Sequence, residues 1–240
     1  MKLYSKLSAL GAVMVLSTAF ASADTTYLIS GSGEVAYLGY STTATGAPAI
    51  QANGVNNQIN IPGVTCFGTS CVTYGISPGT IWAAPLVGAN GQGSLWVSYD
   101  PNSGPTGSEA NFDANGFYTY TTGFVVSQAV FGAVTVAADD TVAVFVDGVQ
   151  VSDFGTIGGD GQCADGAPNC RTGQSKTVNF TAPAGFLSID FVVDQSGSHN
   201  QGLDYVGFVT ETPEPNTLLL LGTGLLGSAG ALFRKMRATA

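Results

Sequence analysis

The segment Thr141-Val-Ala-Val-Phe-Val-Asp-Gly-Val-Gln-Val151 constrains the fold most strongly. Val142, Val144 and Val146 fall on one side of an extended chain, and Ala143 and Phe145 on the other. Asp147-Gly148 is the preferred pair for a two-residue type I′ turn, so the segment predicts a β-hairpin. The pattern recurs at 25–30, 35–40, 58–61, 72–76, 94–99, 117–126, 129–137, 176–180, 186–193 and 203–210. These short β-branched and aromatic runs are bounded by Gly, Asn, Asp or Pro, and long 3.6-residue periodicity is absent between the two ends. Many short strands with turn signals predict an all-β, antiparallel sandwich or jelly roll. Residues 24–212 are enough for one sizeable core, with no second domain. The Gly/Thr/Asn-rich stretch 41–57 is expected to be a long surface loop.

The two ends follow different rules. Residues 1–23 have a positive start (Lys2, Lys6), an apolar run from Leu7 to Phe20, and Ala21-Ser22-Ala23. That is the form of a secretory signal peptide cleaved before Asp24, which implies a secretion translocon and a signal peptidase as partners. No charge occurs from Pro215 to Phe233, and Arg234-Lys235-Met236-Arg237 follows. As a helix, about 216–233 would nearly span the ~30 Å hydrocarbon core, weakened by Gly222, Gly224, Gly227 and Gly230. Basic residues prefer the cytoplasmic side, so both ends predict one topology: body outside, with a short stub carrying Arg234, Lys235 and Arg237 inside. Gly224/Ser228 and Gly227/Ala231 have the small-xxx-small spacing of paired membrane helices. Pro213-Glu214-Pro215 stands just before this helix, as an extended stretch that a protease can bind as a strand. The expected organisation is therefore a signal peptide (1–23), an exported domain (24–212) and a tail (213–240).

The tail, Pro-Glu-Pro followed by a weak membrane helix and a basic cluster, resembles the PEP-CTERM sorting signal of Gram-negative bacteria. The resemblance implies recognition by a membrane-embedded exosortase, with Pro213, Glu214 and Pro215 as its substrate, and an inner-membrane single-pass intermediate before the cell surface or matrix. The body supports a second resemblance, over about 75–210. Its runs Phe117-Tyr-Thr-Tyr-Thr-Thr-Gly-Phe124, Val134 to Gly148, Phe186 to Val193 and Gly202-Leu-Asp-Tyr-Val-Gly-Phe208 are similar to the galactose-binding-like β-sandwich of many PEP-CTERM proteins. Trp82 and the Trp96-containing strand fit the same pattern. Residues 158–173 depart from it and read as an inserted, disulfide-pinned loop.

Residues 24–212 hold 15 acidic residues against Arg171 and Lys176, a formal −13. Such a body repels a phosphate backbone, which excludes nucleic acid as a partner. The four cysteines, Cys66, Cys71, Cys163 and Cys170, enter an oxidising compartment on export. Three connectivities are open; the local pairs Cys66–Cys71 and Cys163–Cys170 are favoured because each closes a short loop containing Gly or Pro. Spacings of four and six with no nearby His argue against zinc. Calcium is the cofactor to consider, on hard carboxylate oxygens at Asp139, Asp140, Asp160 and Asp165, although turn chemistry alone also explains aspartates there.

Enzyme signatures are sparse. No G-x-S-x-G, H-E-x-x-H or G-x-x-x-x-G-K occurs. His199, the one histidine, sits in a polar loop beside Ser196 and Ser198, where triad geometry is unusual. Asp190, Asp194 and Asp204 are the carboxylates that a glycoside hydrolase would use, but nothing selects a pair across a cleft. The chain is expected to be a non-catalytic surface or matrix protein associated with exopolysaccharide. A membrane-anchored carbohydrate-binding module and a glycoside hydrolase are the alternatives. Trp82, Trp96, Tyr99 and Tyr118 are the aromatic residues available to a sugar, although aromatics in a sandwich more often build the core. Asn179-Phe-Thr181 is a glycosylation sequon by pattern.

Overall fold

A computed structural model describes residues 23–31, 35–41, 73–106, 113, 115–158, 163–197, 200–212, 222–229 and 234, with the side chains of 39–41 excepted. Two compact units divide the chain: Thr25–Thr210, and the two ends, Met1–Asp24 with Glu211–Ala240. The first unit is an antiparallel β-sandwich. Its strands are β1 (Thr25–Ile29), β2 (Ala36–Ser41), β3 (Tyr74–Gly75), β4 (Val97–Ser98), β5 (Gly116–Val126) and β6 (Val130–Asp139). There follow β7 (Thr141–Val146), β8 (Val149–Ser152), β9 (Lys176–Ala182), β10 (Gly185–Gln195) and β11 (Gly202–Glu211). One sheet runs β3-β4-β11-β6-β9, and β1 shares an edge of β11 with β4. The other runs β2-β5-β10-β7-β8. From β5 onward the chain passes repeatedly between the sheets, so apart from the β7–β8 hairpin neighbours within a sheet are distant in sequence.

The period-2 pattern explains the packing. In β9, Val178, Phe180 and Ala182 are buried while Thr177, Asn179 and Thr181 are exposed. In β7 and β10, Val142, Val144, Val146, Leu187, Ile189, Phe191 and Val193 join one core with Tyr118 and Tyr120 of β5. Phe191 of one sheet stacks on Tyr205 of the other, with centroids 4.4 Å apart and planes 21° off parallel. Burying each such side chain stabilises the fold by about 1.5–3 kcal/mol before entropy is counted. The predicted hairpin forms: Val146 pairs with Val149, and Asp147 and Gly148 both take positive φ, 48° and 77°. At Gly207 the two central strands approach so closely that a Cβ would lie 2.4 Å from the Ala133 carbonyl oxygen.

A second core cluster joins Ile76, Trp82, Trp96 and Ala137 to Cys163 and Cys170. Cys163 and Cys170 form a disulfide, with Cα atoms 5.3 Å apart. The loop that reads as an insertion is therefore built into the fold rather than hung from it. The Cys170 carbonyl accepts from the Ala83 amide (2.8 Å), and the Thr141 hydroxyl donates to the Pro168 carbonyl (2.6 Å). Asn169, fully buried, donates to the Ala164 carbonyl at 2.8 Å.

In the second unit, residues 222–229 are helical and largely exposed, Ser228 donates to the Gly224 carbonyl (2.6 Å), and Arg234 is exposed. Among the described residues no helix is long and apolar enough to cross a membrane. The expected signal segment up to residue 22 lies outside the described residues. So do Pro213, Glu214, Pro215, Lys235, Arg237, Cys66, Cys71, Asp160, His199 and the expected strand at 58–61.

Candidate functional site: a polar end of the sandwich

Antiparallel pairing brings several strand ends together. Gln195, the last residue of β10, pairs with Gly116, the first of β5. Asp139 and Asp140 stand at the β6–β7 junction, and the Asp140 amide donates to the Asp194 carbonyl (3.1 Å). Gln201 precedes β11, and Ser98 to Asp100 lie at and just beyond the end of β4. Polar side chains are drawn inward here because the apolar alternation has stopped and the turning backbone needs partners.

Their hydrogen bonds form a connected network. Gln201 Oε1 accepts from the Tyr120 hydroxyl at 2.6 Å and the Ser98 hydroxyl at 2.7 Å. The Tyr120 oxygen accepts from the Tyr99 amide at 3.3 Å. The Tyr99 hydroxyl donates to Asp113 Oδ1, which also accepts from Ser103 Oγ at 3.2 Å. Tyr99 stacks against Tyr37 and Tyr118, with centroids 5.0 and 5.2 Å away. Burial pushes the Asp113 carboxyl up to about 6; the Tyr99 and Ser103 hydrogen bonds oppose the shift, and the Asp100 charge adds to it. Burial, then Asp113, raises the Tyr99 phenol above its ordinary range. Burial, reinforced by Asp140, raises Asp139 well above the carboxylate range.

Four buried side-chain atoms lack a hydrogen-bond partner among the described residues: Asp113 Oδ2, Gln195 Oε1, Gln201 Nε2 and Gln128 Oε1. The first three belong to this end, whereas Gln128 lies between β5 and β6 at the opposite end. Sequence reasoning passed over Asp113, Gln195 and Gln201. Their only signal was position, since each lies at a strand end or in a turn-rich stretch, where polar residues are expected in any case.

The residues singled out as ligand-binding behave differently. Trp82 is 5% exposed and Trp96 is 0% exposed, with their rings 4.6 Å apart inside the second core cluster. Their polar edges are occupied too: Trp82 Nε1 donates to Asp139 Oδ2 (2.8 Å) and Trp96 Nε1 to the Ala83 carbonyl (3.0 Å). Neither offers a ring face to a sugar, which corrects the expectation for both. Leu95 takes the exposed side of that segment. Tyr99 remains half-buried at the polar end.

Of the calcium candidates, Asp139 and Asp140 meet at the β6–β7 junction, and Asp160 lies outside the described residues. Asp139 faces Trp82, Asp140 Oδ2 accepts from the Ser196 amide (2.5 Å), and Asp165 lies exposed 3.7 Å from Arg171. The described residues bring one trio of metal-ligating side chains together, Asp139 with Cys163 and Cys170. Its two sulfurs are consumed by the disulfide, so they supply no thiolate ligands.

The three carboxylates considered for glycoside hydrolysis are also separated. Asp190 and Asp194 share one face of β10 four residues apart, about 13 Å along a strand. Glycosidase pairs sit roughly 5–9.5 Å apart. Asp190 is 1% exposed and accepts from Thr121 on the neighbouring strand at 2.6 Å. Asp204 lies in the other sheet, with Oδ1 accepting from Ser30 Oγ and Oδ2 from the Leu86 amide, both at 2.9 Å.

The fold and tail together define an all-β exported sandwich bearing a sorting signal. Residues 211–237 match the model of the PEP-CTERM protein-sorting motif, and the chain carries that signal. The signal implies exosortase-dependent export to the cell envelope or surface. No curated protein matches the chain. Among solved structures, it is similar to a family 35 carbohydrate-binding module from Clostridium thermocellum, at 11% identity and a TM-score of 0.27 over 52% of this chain and 85% of that one. It is also similar to a GH26-CBM35 β-(1,4)-mannanase from Podospora anserina, at 14% identity and a TM-score of 0.29 over 60% and 28%. A third is the CBM36-1 domain of a multidomain xylanase from the hindgut metagenome of Trinervitermes trinervoides, at 12%, 0.22, and 52% and 85%. Likeness at these scores carries no argument about ligand or activity.

Proposed function

We propose that this chain is an exosortase substrate whose sandwich ends at the cell surface or in the extracellular matrix as a non-catalytic, polysaccharide-associated module. The observation that carries the reading is the sorting motif over 211–237. In this itinerary residues 1–23 engage the translocon and are removed by signal peptidase. The 216–233 segment halts in the inner membrane with Arg234, Lys235 and Arg237 on the cytoplasmic side. Exosortase then acts at Pro213–Pro215, where two prolines hold an extended backbone.

The non-catalytic part is supported by the carboxylates. Asp190 and Asp204 are committed to hydrogen bonds within separate sheets. The polysaccharide part is supported by the polar end, where donors and acceptors of both senses stand unpartnered beside tyrosine rings. Mass spectrometry of the mature C-terminus tests the itinerary, in an exosortase-bearing host and in a strain lacking the enzyme. The expected result is an end near Pro213–Pro215 in the first and an intact Ala240 end in the second. An Ala240 end on surface material from the exosortase-bearing host refutes processing and favours a stably anchored module.

A further inference from the structure

One residue ties Asp113 to Gln201. The Ser103 hydroxyl donates to Asp113 Oδ1 (3.2 Å), and the Ser103 carbonyl accepts from the Gln201 amide (3.2 Å). Asp113 is 2% exposed and Gln201 0%. Even so, among the described residues Asp113 Oδ2 accepts nothing and Gln201 Nε2 donates to nothing. A buried polar group left unmade costs about 1–3 kcal/mol, so an orphan acceptor and an orphan donor in one network call for a shared partner. Turning the Gln201 carboxamide over does not remove the problem, because it exchanges an orphan donor for an orphan acceptor.

The missing group must donate to a carboxylate oxygen and accept from an amide N–H. A metal cation suits Asp113 but is repelled by the amide hydrogens. An alcohol hydroxyl does both at once. Tyr99 gives this group a way in, since its hydroxyl holds Asp113 Oδ1 while its ring is only half-buried. The centroids of Tyr37 and Tyr118 are 6.4 Å apart, and each lies 5.0–5.2 Å from Tyr99. Offset rings stacked on opposite faces of Tyr99 would stand at least about 7 Å apart, twice the roughly 3.5 Å spacing of stacked planes. The shorter 6.4 Å separation puts both on one side of Tyr99, so neither covers its other face.

The charge at this end narrows the ligand further. Asp100, Asp113 and Asp140 are buried here beside Asp139, with Asp100 acting on Asp113 and both Asp113 and Asp140 acting on Asp139, within a body whose two basic residues are Arg171 and Lys176. A uronic acid or sulfated sugar meets repulsion; a neutral one does not. We propose that Asp113 and Gln201 form a notch for one hydroxyl of an uncharged sugar unit, which donates to Asp113 Oδ2 and accepts from Gln201 Nε2, with the Tyr99 ring as its outer wall. This rests on the polysaccharide reading above and gives it a site and a ligand class.

The full chain, purified with its tail in detergent micelles, is tested on an array of neutral and uronic-acid-containing oligosaccharides. The best-bound neutral oligosaccharide is then titrated calorimetrically against Asp113→Asn, Gln201→Met and, as a control at an exposed site, Thr177→Ala. Wild type binding neutral glycans, with each notch variant weakened about tenfold to a hundredfold and the control unchanged, supports the notch. Asp113→Asn is isosteric and keeps Oδ1 as an acceptor for Tyr99 and Ser103, so it decides the matter if Gln201→Met fails to fold. Neutral-glycan binding within twofold of wild type in a folded Asp113→Asn overturns the notch and leaves the polysaccharide reading standing. Preference for acidic glycans overturns the ligand class. Binding to no glycan overturns both the notch and the polysaccharide reading, whereas a crystal structure in oligosaccharide-soaked form with only a fixed water between the two side chains overturns the notch alone.

Discussion

Replacing Cys163 and Cys170 by alanine together should destabilise the sandwich by more than its short loop alone predicts. The two cysteines are seven positions apart, so closing that loop is worth about 2.5 kcal/mol in the chain-entropy account. Both sulfurs are also packed against Trp82, Trp96, Ile76 and Ala137, and Cys163 is 3% exposed and Cys170 0%. Losing each buried group adds about 0.5–1.5 kcal/mol, on the scale of a single buried methyl. The sum, about 3.5–5.5 kcal/mol, corresponds to a fall in Tm of roughly 7–20 °C for a domain of this size. The assay reports on the right place, because the only two tryptophans in the chain, Trp82 and Trp96, both lie in this cluster. Urea and thermal unfolding followed by tryptophan emission should move together with far-UV circular dichroism, and the variant's native emission should shift to the red. The double substitution leaves Cys66 and Cys71 unchanged. A variant that melts within 2 °C of wild type with unchanged emission would show that the 163–170 loop lies outside the cooperative core, and the packing argument would fail.

Three further outcomes follow from the same geometry. Asp204→Ala should cost about 1–3 kcal/mol in urea unfolding, because it strands the Leu86 amide, while the Ser30 hydroxyl keeps the Leu95 carbonyl as an acceptor; equal stability would refute that role. Gly207→Ala, whose Cβ would meet the Ala133 oxygen at 2.4 Å, should lose about 1–3 kcal/mol by the same measurement. Burial pushes Asp190 up to about 6 from the ordinary 3.8, so the folded chain binds its proton more tightly than the unfolded chain. That contribution is complete below about pH 4 and lost as pH rises through 6; the urea midpoint should therefore be higher at pH 5 than at pH 7.5, by on the order of 1 kcal/mol from this group, and Asp190→Asn should flatten the difference.

The fold was readable because its signal is local. Alternation over two or three residues decides which side of a strand is apolar, and Asp147-Gly148 decides a turn on its own. Among the described residues, ten of the eleven strands overlap runs visible as β-branched or aromatic segments, with ends displaced by up to three residues, and β8 was visible as the return arm of the predicted hairpin. The tail was readable for a related reason: its three parts are contiguous, so order and composition suffice, and the match over 211–237 needs no tertiary structure.

The polar end was not readable, because it is assembled from chain segments that meet only through strand pairing. Asp113 and Gln201 are 88 positions apart in sequence and are joined through Ser103. Each looks like an ordinary loop residue until the β5–β10 register places their neighbours together. The tryptophans misled for the opposite reason. An isolated Trp near polar residues suits a sugar platform as well as it suits a core, and the choice depends on the disulfide loop, whose docking no local pattern encodes. Once Cys163 and Cys170 close that loop, the space beside Trp82 and Trp96 is filled, and the indole N–H groups turn to Asp139 and the Ala83 carbonyl. That leaves half-buried Tyr99 as the aromatic beside unmade hydrogen bonds, which is why the proposed notch is placed there.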